Sequence, residues 1–308
     1  MNRQTIIDLL AAGRVANLPS VVSNVVFGAV TTGWLVHANG LNLFWPSVAG
    51  VCLYLGGCFL NDWSDRQWDG ENKPERAIPS GRLSAAGVLF LALVFLLGGI
   101  VCSFFQSQLA GIVGLVVAAA IMVYTWIHKK TILGVLPMGL CRGGLYFLGL
   151  ASQSVPDQIF KAKTVVSESS ITALMPTMIA PAFGLAAFVA GLSLLARYEA
   201  KGVIASWQKW LAYVLLLMPG LRMLTVDLMS ALLVTVVFVL VVLIGHRALK
   251  QSIGKGVSFL LASICLVDLI PLLLAAPSSN QPNLWPFVGV SSIAFLLALL
   301  LQRIAPAT

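Results

Sequence analysis

The stretch Asn61-Asp62-Trp63-Ser64-Asp65-Arg66-Gln67-Trp68-Asp69, followed by Lys73, Arg76 and Pro79-Ser80-Gly81-Arg82, decides how the rest of the chain is read. An apolar run from Phe44 to Leu60 precedes it, and another begins at Ala85. Asp62, Asp65 and Asp69 are spaced i, i+3, i+7, which places them near one face of a helix. If that helix continues out of the apolar run, the acids lie at its C-terminal end, where the macrodipole already disfavours negative charge. Carboxylates gathered there call for a cation. Mg²⁺ fits, because it takes few protein carboxylates and completes its shell with water and phosphate oxygens. Arg76 and Arg82 add bidentate capacity for phosphate. Acids for a metal and bases for an anion, in one short segment, describe a diphosphate site.

Composition fixes the class of protein. The 308 residues are 59% hydrophobic and only 10% charged, with a mean hydropathy of +0.94. Soluble domains carry about 25% charged residues, so this is an integral membrane protein. The net charge of +8 does not point to nucleic acid, because the basic residues sit in short loops between apolar runs, where membrane topology explains them. The segment before residue 15 has no small-residue cleavage site and is read as retained. Cys52, Cys58, Cys102, Cys141 and Cys265 all lie in apolar segments without metal-like pairing and read as small buried side chains.

Apolar runs at 15–36, 44–61, 85–104, 108–127, 132–152, 171–195, 227–246, 256–276 and 285–303 each suffice to cross a bilayer, which needs about 20 helical residues. A shorter run at 210–224, interrupted by Pro219-Gly220, is either a tenth crossing or part of a broken one. The expected fold is therefore all-α and polytopic, a single domain over 1–308 with nine or ten transmembrane helices around a central cavity. With the acidic segment taken as cytoplasmic and ten alternating helices, most Lys and Arg fall on the cytoplasmic side, and Lys161, Lys163 and Arg222 stay opposite. That predicts a cell-membrane or bacterial-type inner-membrane protein whose active site faces the cytoplasm. The outer loop from Ser152 to Ser170 is polar and carries no motif. A weak parallel repeat is also visible: the second run ends in the acidic segment, and the sixth ends in Arg197-Tyr198-Glu199-Ala200-Lys201.

Asn61-Asp62-x-x-Asp65-x-x-x-Asp69 with Glu75-Arg76-Ala77-Ile78-Pro79-Ser80-Gly81-Arg82 resembles the first Asp-rich signature of the UbiA superfamily of membrane prenyltransferases. Arg14-Val15-Ala16-Asn17-Leu18-Pro19-Ser20 with Asn24 resembles that family's first helix, and Tyr124-Thr125-Trp126-Ile127-His128-Lys129-Lys130 its Tyr–Lys element. The resemblance implies Mg²⁺-dependent transfer of a prenyl group from a polyprenyl diphosphate to a small-molecule acceptor. Asp62, Asp65 and Asp69 would hold the metal and act in catalysis together with Glu199. Asn61, Arg76, Lys129, Arg142, Lys201, Tyr124, Tyr198 and Asn24 would bind the diphosphate. The sequence departs from the family at its second Asp-rich motif, where only Tyr198-Glu199-Ala200-Lys201 stands. Arg197 and Lys201 would then replace a second metal as neutralising charge. The wording Ala196-Arg197-Tyr198-Glu199-Ala200 resembles the divergent EboC-like branch, which makes a polar, non-aromatic acceptor as plausible as an aromatic one. The alternative is a carrier that binds or moves a lipid-linked diphosphate without cleaving it.

Other residues leave two readings open. Arg142, in Gly139-Leu-Cys-Arg-Gly143, is a charge inside an apolar run and so faces a cavity or a partner, while Gly139-x-x-x-Gly143 allows close helix packing beside it. Asp268 is either its partner or a contact for a polar acceptor. Asn17 and Asn24, seven apart, either line the cavity or bond between helices. Phe59, Trp63, Trp68, Tyr124, Trp126, Tyr146 and Tyr198 read as interfacial belt or as a shield for a carbocation. His37, His128 and His246 are scattered near run ends and suggest no metal site.

Overall fold

A computed structural model describes residues 2–35, 43–152, 168–199, 206–220, 228–271 and 285–303. Among them every regular element is helical: α1 (Arg3–Ala12), α2 (Leu18–Leu35), α3 (Phe44–Asn72), α4 (Ala85–Phe104), α5 (Gln108–Ile127), α6 (Val135–Ser152), α7 (Glu168–Glu199), α8 (Ser206–Leu217), α9 (Leu228–Gln251), α10 (Ile253–Ala262), α11 (Ile264–Val267) and α12 (Trp285–Leu301). The starts follow local chemistry. Ser84 and Ser107 accept the Gly87 and Ala110 amides at 2.9 Å, capping α4 and α5.

Among the described residues, six helical segments are long and apolar enough to span a membrane: Phe44–Asn72, Ala85–Phe104, Gln108–Ile127, Val135–Ser152, Met178–Ala196 and Gly254–Pro271. The pair Arg3–Ala12 and Val15–Thr31, bent by 50°, makes a seventh if taken as one span. Among the described residues these criteria thus account for six, or seven with the bent pair, of the nine or ten expected crossings. The expected run 256–276 is counted among the six, as Gly254–Pro271, despite the break at Ser263 between α10 and α11, whereas the run 285–303 forms the shorter apolar helix Pro286–Leu301. α8 stops at Leu217, just ahead of Pro219-Gly220. The loop positions Lys161 and Lys163, and Arg222, lie outside the described residues. The outward faces are apolar, with Phe90, Leu97, Ile112, Val116, Leu240 and Leu296 all exposed, as lipid-facing surfaces require.

Two hydrophobic clusters share α2 and α6. One joins these helices to α3, α4 and α5 through Val21, Leu53, Leu96, Val117 and Leu145. The other joins them to α7, α8 and α10 through Phe27, Tyr146, Leu185, Leu216 and Leu260. The seam is closed by glycines. A methyl group on Gly28 would lie 1.9 Å from Tyr146 O, and one on Gly149 would lie 2.0 Å from Val25 O. The expected close packing at Gly139 and Gly143 is present against α7, where Cβ atoms would meet Ala186 O at 2.4 Å and Ala182 O at 3.0 Å.

Candidate functional site

α3 does not stop with its apolar run but continues through Asn72, carrying all the acids out on one helix. At about 100° per residue, Asp62 and Asp69 point about 20° apart, and Asp65 lies about 60° to one side. Their partners divide accordingly. Arg76 Nη1 lies 2.9 Å from Asp69 and 3.9 Å from Asp62, and Arg14 Nη2 donates to Asp62 at 2.9 Å. Asp65 turns to the end of α5, where Lys129 Nζ is 3.0 Å away and His128 Nε2 is 3.2 Å away. Asn61 Nδ2 donates to the same carboxylate at 3.2 Å. The Asp62, Asp65 and Asp69 side chains are 17%, 8% and 4% exposed. Acids this sheltered at a negative helix end persist because each is matched by a cation.

The segment after α3 is ordered by its own bonds. Leu83 N donates to Ala77 O at 2.9 Å, and Ser80 Oγ donates to Arg76 O at 2.7 Å. Gly81 takes φ +76°, open to glycine without strain. Arg82 Nε donates to Asp8 on α1 at 2.9 Å, which ties the amphipathic N-terminal helix over the acidic end. Arg14 sits at the bend between α1 and α2 with φ 45°, a left-handed conformation that costs an ordinary residue roughly 1–2 kcal/mol. The turn aims its side chain at Asp62.

Beneath this end lies a cavity of about 310 Å³. Its polar wall includes Arg14, Asn17, Asn61, Lys73, Arg76, Tyr124 and Arg142, and its apolar wall Leu53, Val117, Ile121, Leu145, Leu192, Val257 and Leu261. A smaller hollow of about 200 Å³, lined by Asp8, Asp62, Asp69 and Arg82, shares Arg14 and Arg76 with it. Asn17 Oδ1 and Asn61 Oδ1 are buried with no hydrogen-bond partner, and both residues line the cavity. Such atoms call for a ligand or its water. Among the described residues no three His, Cys, Asp or Glu side chains converge as a metal cage. The donor set is nevertheless all oxygen and carboxylate-rich, and suits a hard cation completed by phosphate and water. Asp62, Asp65 and Asp69, with Asn61 beside them, are the residues that would hold it.

Of the residues singled out in the sequence, Asn61, Asp62, Asp65, Asp69, Arg76 and Lys129 come together at this end. Tyr124 and Arg142 join them along the cavity. Asn24 is fully buried behind Arg142, its carboxamide committed to Arg142 and Asp268. Asn17, in the 3₁₀ turn before α2, instead lines the cavity and donates to Tyr54 OH at 2.9 Å. Tyr198 and Glu199 close α7, and Lys201 lies outside the described residues. Among the aromatics, Trp68 and Trp126 receive Lys129 and Lys130 at 3.9 and 4.5 Å from the ring centroid. His128 was missed by sequence reasoning, although its place next to Lys129 was the available signal.

Relatives bear on this geometry. A digeranylgeranylglyceryl phosphate synthase of Methanococcoides burtonii is 32% identical over 113 residues, which are 35% of this chain and 40% of that one. A chloroplastic chlorophyll synthase of Arabidopsis thaliana is 36% identical over 85 residues, 27% of this chain and 22% of that one. The matched stretches thus span less than half the length of either relative. A solved structure described as a digeranylgeranylglyceryl phosphate synthase in membranes superposes with a TM-score of 0.53 at 18% identity, covering 99% of both chains; it shares the fold. A family model described as UbiA prenyltransferase matches residues 21–308, and this chain belongs to that family.

Proposed function

We propose that this protein transfers a prenyl group from a polyprenyl diphosphate to a small-molecule acceptor, with Mg²⁺ as cofactor. The observation that carries the proposal is the junction of the cation-matched acids at the end of α3 with a cavity that is largely apolar beyond them. Diphosphate belongs at the charged end and the isoprenoid chain along the apolar wall. Arg14, Arg76 and Lys129, now paired with carboxylates, are long side chains that exchange those partners for phosphate oxygens when the donor enters. Arg142 and Tyr124 face the same ligand from α6 and α5, and Tyr198, Glu199 and Lys201 keep the binding and catalytic roles that the family resemblance implies. Bound Mg²⁺ would neutralise charge on the diphosphate. When the C1–O bond breaks, the electron pair leaves with diphosphate, where the guanidinium and ammonium groups stabilise the growing charge. The apolar wall keeps water from the allylic cation, and the acceptor's nucleophilic atom closes the new bond and then loses its proton.

The names of the relatives, a digeranylgeranylglyceryl phosphate synthase and a chlorophyll synthase, support testing polar, non-aromatic acceptors as well as aromatic ones. We read 1–308 as one domain of nine or ten crossings, set in a bacterial-type inner membrane with the acidic end facing the cytoplasm. The experiment is pyrophosphate release from farnesyl or geranylgeranyl diphosphate by purified protein with Mg²⁺. Release abolished by chelation and by Asp62→Ala supports the enzyme. Tight Mg²⁺-dependent binding without release, whatever acceptor is added, overturns it in favour of a carrier.

A further inference from the structure

Behind Arg142 lies a second polar cluster, to which prenyl transfer as described assigns no task. Asp268, at the end of α11, is 0% exposed inside the span Gly254–Pro271. Its oxygens accept from Ser23 Oγ at 2.5 Å, from Tyr146 OH at 2.5 Å, and from Asn24 Nδ2 at 2.9 and 3.0 Å. On the other side of the same carboxamide, Asn24 Oδ1 accepts from Arg142 Nη1 at 3.1 Å, and that nitrogen also donates to Ser20 Oγ at 3.1 Å. The order is acid, amide, guanidinium. Charge within the bilayer is expensive and is tolerated where it is compensated. Here Arg142 and Asp268 compensate each other across one amide rather than in direct contact.

The interposed amide has a geometric consequence. A carboxylate only accepts hydrogen bonds, so Asp268 obliges Asn24 to present its NH₂ inward and its carbonyl outward. The carbonyl then draws one nitrogen of the Arg142 fork. Among the described residues, the other two guanidinium nitrogens have no hydrogen-bond partner, and the residue lines the cavity. Tyr54, whose ring lies 5.0 Å from the guanidinium carbon, supports it from α3. The unpartnered Asn17 Oδ1 lies in the same wall.

We infer that Asp268, acting through Asn24, is a positioning residue that holds the Arg142 guanidinium with its unbonded nitrogens turned toward bound substrate. The role rests on the donor-binding reading of the cavity. Replacing Asp268 by a group that also donates lets the Asn24 amide flip, which turns NH₂ toward Arg142 and pushes the guanidinium away.

The test measures the Kd for geranylgeranyl diphosphate with Mg²⁺ on the purified full chain, together with its melting temperature. Arg142→Ala and Asp268→Asn are each expected to weaken binding about tenfold, the scale of a lost charged hydrogen bond. The double variant is expected to be no weaker than either single one, because both act on one guanidinium. The exchanged pair Asn24→Asp with Asp268→Asn moves the carboxylate one step toward Arg142 and lets the new amide donate to it, so binding returns. Additive losses in the double variant overturn the inference, as does Asp268→Asn binding like the unmodified chain while melting earlier. If the unmodified chain fails to bind geranylgeranyl diphosphate at all, the donor reading of the cavity falls and this role falls with it.

Discussion

At the end of α3 each aspartate touches a cation: Asp62 faces Arg14 at 2.9 Å, Asp69 faces Arg76 at 2.9 Å and Asp65 faces Lys129 at 3.0 Å. Around Asp268 the direct neighbours are hydroxyls and a carboxamide, and Arg142 stands one amide away. The first cluster is open to exchange, because its arginine and lysine side chains are 23–32% exposed and on flexible stems. The second is sealed around Asp268, where Ser23, Tyr146 and Asn24 all donate to one buried carboxylate. Preorganisation therefore belongs to the deep cluster, and ligand exchange to the shallow one.

Substitutions in the two clusters test that division. Asp62→Ala or Asp65→Ala at the shallow cluster should cut Mg²⁺-dependent pyrophosphate release by about 10²–10³-fold, the scale of losing a main electrostatic contact. The melting temperature should move little. Retained release would make the acids structural and erase the contrast. Asp268→Ala strands the Tyr146, Ser23 and Asn24 donors in the span, and should lower unfolding stability by roughly 3 kcal/mol, read in detergent melts. A melt unchanged from that of the parent would show the deep cluster to be no more rigid than the shallow one. Arg76→Ala removes the one guanidinium shared by Asp62 and Asp69, so turnover should fall by about 10–100-fold, and Arg76→Lys should recover only part of it for want of a bidentate fork. The smallest effect is expected from His128→Ala, under about tenfold in turnover, since Lys129 and Asn61 still hold Asp65.

Much of the fold was legible because apolar runs of spanning length leave few alternatives. Each run found in the sequence coincides with a helix, although several are bent or broken and count differently as crossings. The acids at i, i+3, i+7 could be placed on one helix because that periodicity is local. Their partners could not. Arg14 reaches Asp62 across 48 positions and His128 reaches Asp65 across 63, through helix packing that no local pattern records. Asn17 and Asn24 looked equivalent on a continuous helix, but the helix starts at Leu18, and the 3₁₀ turn before it sends Asn17 to the cavity and leaves Asn24 between helices. The open choice for Asp268 resolves the same way: it is linked to Arg142, but through an intermediary from α2 whose part only the tertiary packing displays.

The glycine seam between α2 and α6 has a bearing on how substrate preference can change. Gly28 and Gly149 admit no side chain, so the close contact of these two helices depends on both positions staying glycine. Cavity positions on α7 and α10, such as Val189, Leu192, Val257 and Leu261, lie away from that seam. Exchanges among Val, Leu and Ala there alter cavity volume while leaving both polar clusters in register. On the proposed donor reading, changes in isoprenoid length would fall on that side of the bundle, while the glycine seam on the other side stays fixed.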